Sequence, residues 1–154
     1  MFILSVRAST VKFFALIAVC FAVLLVLVVS GAAVPVLAAG EVDFSGIKNE
    51  DDRVAFIEQF GLRVKGSAVS EVSFVMPENF DRVMLGYNEI QKAQGLDLSK
   101  YAKKKITRYT YEIENYNSYD GDVYVNLLVY RNKIIACDVS SADPQGFVEE
   151  LVKL

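Results

Sequence analysis

The sequence contains no histidine and no tryptophan, and it has only two cysteines and three prolines. Without histidine, the chain cannot form Ser-His or Cys-His nucleophile pairs, and it lacks the commonest zinc ligand. Cys20 lies inside a long apolar run and Cys137 lies in the polar part of the chain, so we expect no disulfide between them. From these absences we predict that the chain is not an enzyme and has no catalytic residues, no metal site and no cofactor.

Acidic residues outnumber basic ones, with 19 Asp and Glu against 16 Lys and Arg. The formal net charge is −3, and all 19 acidic residues follow Gly40. General nucleic-acid binding needs a basic patch that neutralises phosphates. We therefore expect no nucleic-acid partner.

The apolar residues are concentrated near the N-terminus. The run Phe13–Val29 is uncharged, and its apolar character continues to Ala39. Arg7 and Lys12 precede it and acidic residues follow it, so the basic flank belongs on the cytoplasmic side and the rest of the chain faces outward. The run is long enough to cross a hydrocarbon core of about 30 Å as a signal-anchor helix.

A cleaved signal peptide is the other interpretation of this segment, with small residues before Ala39 and a helix-breaking Pro35 just ahead. We favour the anchor, because the run is longer than a typical signal-peptide core. The chain is thus divided into residues 1–40, the anchor or signal peptide, and residues 41–154, an extracytoplasmic domain. The predicted location is the cell membrane with a single span, or the medium if the segment is cleaved.

Two helices are predicted in the first half of the domain. Asn49 is a good N-cap, acidic residues follow it in the first turn, and Gly61 ends that helix. The second helix runs from Phe80 to Gln94, and Gly95 ends it. Its apolar residues recur every three or four positions, which predicts a buried face made of Phe80, Val83, Met84, Tyr87 and Ile90.

Strands are predicted at 68–75, 106–115, 123–130 and 134–139, from β-branched and aromatic content and from turn residues between them. A last helix is predicted after Pro144. The fold class is α+β, an antiparallel sheet with a C-terminal three-strand meander packed on helices. Either a cystatin-like wrap around the long helix or a flatter sheet with helices on one side fits this order.

Four segments carry a resemblance to a known family. They read NEDDRVAFIEQFG (Asn49–Gly61), YNEIQKAQGLDLSKY (Tyr87–Tyr101), RYTYEIENY (Arg108–Tyr116) and NLLVY (Asn126–Tyr130). They resemble domain-of-unknown-function family 4830, whose members are exported or membrane-anchored proteins of Gram-positive bacteria. The resemblance implies no activity.

Tyrosine is abundant, and all eight tyrosines lie between Tyr87 and Tyr130. Alternation along the strand places Tyr109 and Tyr111 on the face that we predict to be buried under the helices. Arg108 then points to the opposite, exposed face. We predict a binding surface made of Arg108, Tyr116 and Tyr119, the two tyrosines lying at the following hairpin.

The predicted function is a non-enzymatic module that binds an envelope protein or a small ligand. The alternative is a carboxylate-dependent cell-envelope hydrolase, with Asp97 and Asp138 as candidate carboxylates. Asp97 is better explained as the cap of a short helical turn at Leu98–Tyr101, and Asp138 as the end of a strand. The binding module is therefore the preferred hypothesis.

Overall fold

A computed structural model describes residues 42–153. It contains two α-helices, α1 (Glu50–Glu58) and α2 (Arg82–Ala93), and a 3₁₀ turn at Leu98–Tyr101. The five strands are β1 (Ser70–Val75), β2 (Lys105–Glu112), β3 (Val123–Tyr130), β4 (Lys133–Ser141) and β5 (Val148–Glu150). They form one sheet in chain order, and each neighbouring pair is antiparallel. The predicted α+β class is confirmed, and the predicted meander extends to all five strands.

The predicted N-terminal anchor or signal peptide, residues 1–40, lies outside the described residues. Between residues 42 and 153, no helix combines the length and the apolar character that crossing a membrane requires.

Helix α1 begins where the sequence predicts. The side chain of Asn49 accepts a hydrogen bond from the Asp52 backbone N–H at 2.9 Å, and the Asp52 carboxylate accepts one from the Asn49 N–H at 3.1 Å. This reciprocal capping box satisfies two backbone donors that the helix leaves without partners. Gly61 follows the helix with a φ of 80°, a conformation that favours glycine.

The two helices lie on opposite faces of β2. From α1, Arg53 Nε donates to the Tyr111 hydroxyl at 2.7 Å, and the Arg53 guanidinium lies 3.8 Å from the centroid of the Tyr109 ring. Met84 and Tyr87 of α2 instead pack on the cluster that contains Ile106. Because successive side chains of a strand point to opposite faces, the residues of β2 that meet α1 and those that meet α2 are on different sides.

The prediction that helices cover only one face of the sheet is therefore wrong. The physical reason lies in the central strands. Every residue from Ile134 to Val139 of β4 is buried, and β3 is apolar on both sides of the pleat. A strand that is apolar on both faces needs cover on both, as in the buried strands of layered α/β proteins.

The predicted buried face of α2 also needs correction. Phe80, Met84 and Tyr87 do pack on the core, but Val83 is 77% exposed and Ile90 is only half-buried. The fully buried residues of α2 are polar, Asn88 and Gln91. Helical periodicity counts apolar residues, so it does not identify a face that docks through hydrogen bonds.

Polar docking of α2 satisfies the backbone of β4. Gln91 Oε1 accepts from the Cys137 N–H at 2.9 Å, and Gln94 Nε2 donates to the Cys137 carbonyl at 2.9 Å. Strand β5 pairs with Asp138–Ser140 and reaches no further along β4. The two glutamines therefore supply the hydrogen bonds that a longer β5 would give. Gln94 Oε1 also accepts from the Leu151 N–H at 3.1 Å.

The chain after Asp143 is not the predicted helix, because β5 follows a tight turn. The Ser141 backbone N–H donates to the Phe147 carbonyl, and the Phe147 N–H donates to Ser141 Oγ, both at 3.1 Å. A Cβ on Gly146 would lie 1.7 Å from Ser141 Oγ, so this turn requires glycine. The Asp143 side chain accepts from the Gln145 N–H at 2.8 Å, which directs the local backbone into a turn.

Replacing Gln94 tests the polar docking. Gln94→Leu leaves the Cys137 carbonyl and the Leu151 N–H without their partners, so the free energy of unfolding should fall by about 1–3 kcal/mol. Urea unfolding followed by tyrosine fluorescence measures this change. The matched control is Gln145→Leu in the exposed turn, which should change stability by no more than about 0.5 kcal/mol. Equal stability of the two variants would contradict this role of Gln94.

Candidate functional site

A cleft of about 370 Å³ lies between α2 and the sheet. Alternate residues of β2, β3 and β4 point into it, and the register places Arg108 opposite Leu128 and Asn126 opposite Asp138. Its apolar lining consists of Phe74, Val83, Met84, Leu128 and Val148. Its polar lining consists of Tyr87, Arg108, Asn126, Asp138 and Ser140.

A hydrogen-bonded network forms the polar part of the cleft. Asp138 is only 3% exposed; its Oδ1 accepts from the Tyr87 hydroxyl at 2.6 Å, and its Oδ2 accepts from Asn126 Nδ2 at 2.8 Å. Asn126 Nδ2 also donates to Ser140 Oγ at 3.0 Å, and Asn126 Oδ1 accepts from Thr110 Oγ1 at 2.8 Å. These buried polar groups satisfy one another, as the cost of an unpaired buried group requires.

Burial controls the protonation of the two acids in this network. It raises the pKa of Asp138 above the usual carboxyl value, although the hydrogen bonds from Tyr87 and Asn126 and the charge of Arg108 act in the opposite direction. Burial also raises the pKa of Tyr87 well above its usual value, and the neighbouring Asp138 adds to this effect. Both groups are thus shifted towards their neutral forms.

Arg108 is exposed at the cleft, as predicted, and Tyr111 is fully buried, as predicted. Tyr109 is only half-buried. The face that carries Arg108 is not left open as predicted, because α2 partly covers it. None of the ion pairs among residues 42–153 includes Arg108.

The other two predicted binding residues meet around Phe147. The Tyr116 ring stacks on the Phe147 ring with centroids 5.9 Å apart, and the Tyr119 ring meets it edge-on at 5.3 Å. Phe147 directly precedes Val148, which lines the cleft. The structure thus places Arg108 in the cleft and the two tyrosines in an aromatic cluster beside the hairpin.

Sequence reasoning missed Tyr87, Asn126 and Ser140 as site residues, and it set Asp138 aside. One available signal was Asn126, a polar residue within the otherwise apolar strand VYVNLLVY. A polar residue at such a position needs a buried partner. Identifying that partner as Asp138 requires the register of β3 against β4, which the sequence does not specify.

Asp97 has the structural role that the sequence predicts. Its Oδ1 accepts from the Ser99 N–H at 3.1 Å, from Ser99 Oγ at 2.7 Å and from Asn88 Nδ2 at 3.1 Å. These hydrogen bonds lower the pKa of Asp97 to about 2. Asp97 caps the 3₁₀ turn, and it is not part of the cleft.

Residues 56–139, more than half of the chain, match the family described as Domain of unknown function (DUF4830). The chain belongs to this family. The DUF4830 match includes every residue that lines the cleft except Ser140 and Val148. Comparisons with curated proteins and with solved structures give no match.

The protonation of Asp138 in this DUF4830 domain can be tested by substitution. The pKa of Asp138 in the folded domain is raised above its usual value of 3.8. The stability that this carboxyl contributes is therefore full below pH 3.8 and is lost as the pH rises through the folded-state pKa. The stability of Asp138→Asn relative to the wild type should therefore increase from about pH 4 upward and then level off. Urea unfolding across pH 3–8 measures this difference.

Asp97→Asn is the matched control with the opposite sign. In the wild type, the lowered pKa of Asp97 contributes stability that is fully present above pH 3.8. This stability is lost as the pH falls through about 2. The advantage of the wild type over this variant should shrink as pH falls. A difference between wild type and Asp138→Asn that does not change with pH would contradict the raised pKa of Asp138.

Proposed function

We propose that this domain is a non-enzymatic binding module and that the cleft beside α2 holds a small, mainly apolar ligand. The observation that carries the proposal is the composition of the cleft, whose apolar walls surround a few convergent polar groups. Its volume lies within the usual range of about 300–1,000 Å³ for small-molecule sites. Val83 and Val148 leave much apolar surface exposed at this site, 77% and 48% respectively.

The acidic groups favour binding over hydrolysis. Asp138 is the one carboxylate among the described residues that line the cleft, and both of its oxygens accept hydrogen bonds from neighbouring side chains. Carboxylate-dependent glycoside hydrolysis generally uses two carboxyl groups flanking the bond. The second carboxylate that the sequence suggested, Asp97, caps the 3₁₀ turn. This arrangement supports a binding site more than a hydrolytic one.

Blocking the cleft tests the binding function. The uncharged probe 1-hexanol should shift the methyl NMR signals of Met84, Leu128 and Val148 in the full chain held in lipid nanodiscs. Val83→Trp should abolish these shifts, because the large ring fills space beside the cleft. Leu85→Trp is the matched control, since Leu85 is a 53% exposed residue of the same helix outside the cleft. Unchanged binding in Val83→Trp would contradict the proposal.

We propose that the domain lies outside the cytoplasmic membrane, held by its N-terminal segment or released from it. The asymmetry between Arg7 and Lys12 before the apolar run and the acidic residues after it supports this orientation.

Protease added to intact protoplasts should digest the domain if it is anchored and outward-facing. Recovery of the domain from the medium would select the cleaved signal peptide. A cytoplasmic protein that stays intact in the same sample is the control for lysis. Complete protection of the domain inside the protoplasts would contradict the proposed location.

A further inference from the structure

We infer that the ligand of the cleft is an amphipathic anion, with one carboxylate or phosphate head group bound by Arg108 and an apolar chain lying along α2. This inference rests on the proposed binding function and specifies its ligand class. It depends on two features, an unpaired cation at the cleft and a second apolar depression that continues from it.

The head-group position follows from Arg108. It is exposed, it lines the cleft, and no ion pair or side-chain hydrogen bond among residues 42–153 includes it. The nearby Asp138 is buried and engaged by Tyr87 and Asn126. A guanidinium presents a planar fork of donors that fits the two oxygens of a carboxylate or a phosphate.

The position of the ligand's apolar chain follows from the surface next to the cleft. A second depression, of about 420 Å³, is lined by Arg82, Val83, Gly86, Tyr87, Ile90 and Val148. Three of these residues, Val83, Tyr87 and Val148, also line the cleft, so the two depressions share a boundary. Space for a chain is left open at Gly86, where an added Cβ would meet nothing within 4 Å.

The combined groove suits an extended chain. Val83 and Ile90 are about two helical turns apart, roughly 10 Å along the axis of α2. Apolar side chains line most of this length. Arg82 borders the second depression, whereas Arg108, Asn126, Asp138 and Ser140 lie together in the cleft. A cationic head group would be repelled by Arg108, and an uncharged head group would gain no charge-assisted hydrogen bond from it. The polarity of the groove therefore matches an anion with an apolar tail.

The test measures the affinity of the protein for four soluble probes with a six-carbon alkyl chain: hexanoate, hexyl phosphate, 1-hexanol and hexylammonium. The full chain is held in lipid nanodiscs, and empty nanodiscs correct for partition into lipid. Hexanoate or hexyl phosphate should bind at least about ten-fold more tightly than 1-hexanol, since a charge-assisted hydrogen bond commonly contributes that much. The better of the two anions identifies the head group.

Variants at Arg108 separate the contribution of the head group to the affinity from that of the alkyl chain. Arg108→Gln should reduce the affinity for the anion to that for 1-hexanol and leave 1-hexanol unchanged, while Arg108→Lys should keep a preference for the anion. Arg63→Gln is the matched control, because Arg63 is an exposed arginine outside both depressions and pairs with Glu114. It should bind all four probes as the wild type does.

Three results would overturn the inference. If 1-hexanol binds in the cleft but neither anion binds more tightly, the ligand class is wrong. If Arg108→Gln keeps the preference for the anion, the assignment of the head group to Arg108 is wrong. In both cases the proposed binding function survives. If no probe binds saturably, both proposals fail. Urea unfolding of each variant distinguishes a lost contact from a lost fold.

Discussion

Two side chains of α2 and the side chain of its C-cap residue, Gln94, hydrogen-bond to two consecutive residues of β4. Tyr87 donates to Asp138, while Gln91 and Gln94 bind the backbone of Cys137. Such bonds have narrow distance and angle requirements, so they position the helix more tightly than apolar packing does. The position of α2, and with it the width of the cleft, depends on this interaction.

Because polar side chains take part in docking the helix, some of its apolar residues remain available for other contacts. Val83 and Leu85 are more than half exposed, and Ile90 is half-buried. In an ordinary amphipathic helix these positions would be expected to face the core or to be polar. Here Met84 and Tyr87 of α2 pack on the core that contains Ile106, Leu128 and Leu98, whereas Val83 and Leu85 stay exposed. The exposed valine then becomes part of the cleft wall.

The parts of the fold that the sequence predicts correctly are those with strong local signals. The capping box at Asn49 defines the start of α1, and the apolar run Val123–Tyr130 defines β3. The Asp97 cap is likewise local, since its partner Ser99 is two residues away. These features need only the chemistry of neighbouring residues, so they can be derived before any tertiary structure is known.

The incorrect predictions concern contacts between distant residues. The final segment becomes β5 because Ser140 pairs with Val148 across a turn that needs Gly146, and its apolar spacing alone resembles a helix. The candidate site is assembled by the register of β3 against β4, which brings Asn126 to Asp138. The exposure of Arg108 follows from strand alternation and could be predicted, whereas its neighbours in the cleft depend on the placement of α2.

Gln94 has a consequence beyond the stability of the sheet. Its amide group touches both the Cys137 carbonyl and the Leu151 N–H, so a single side chain joins α2, β4 and the segment after β5. Val148, three residues before Leu151, forms part of the cleft. A force or a bound molecule that displaces the C-terminal segment would therefore move one wall of the cleft directly and the other through this glutamine. The C-terminal segment and the cleft thus share Val148 as a wall and Gln94 as a hydrogen-bonded link.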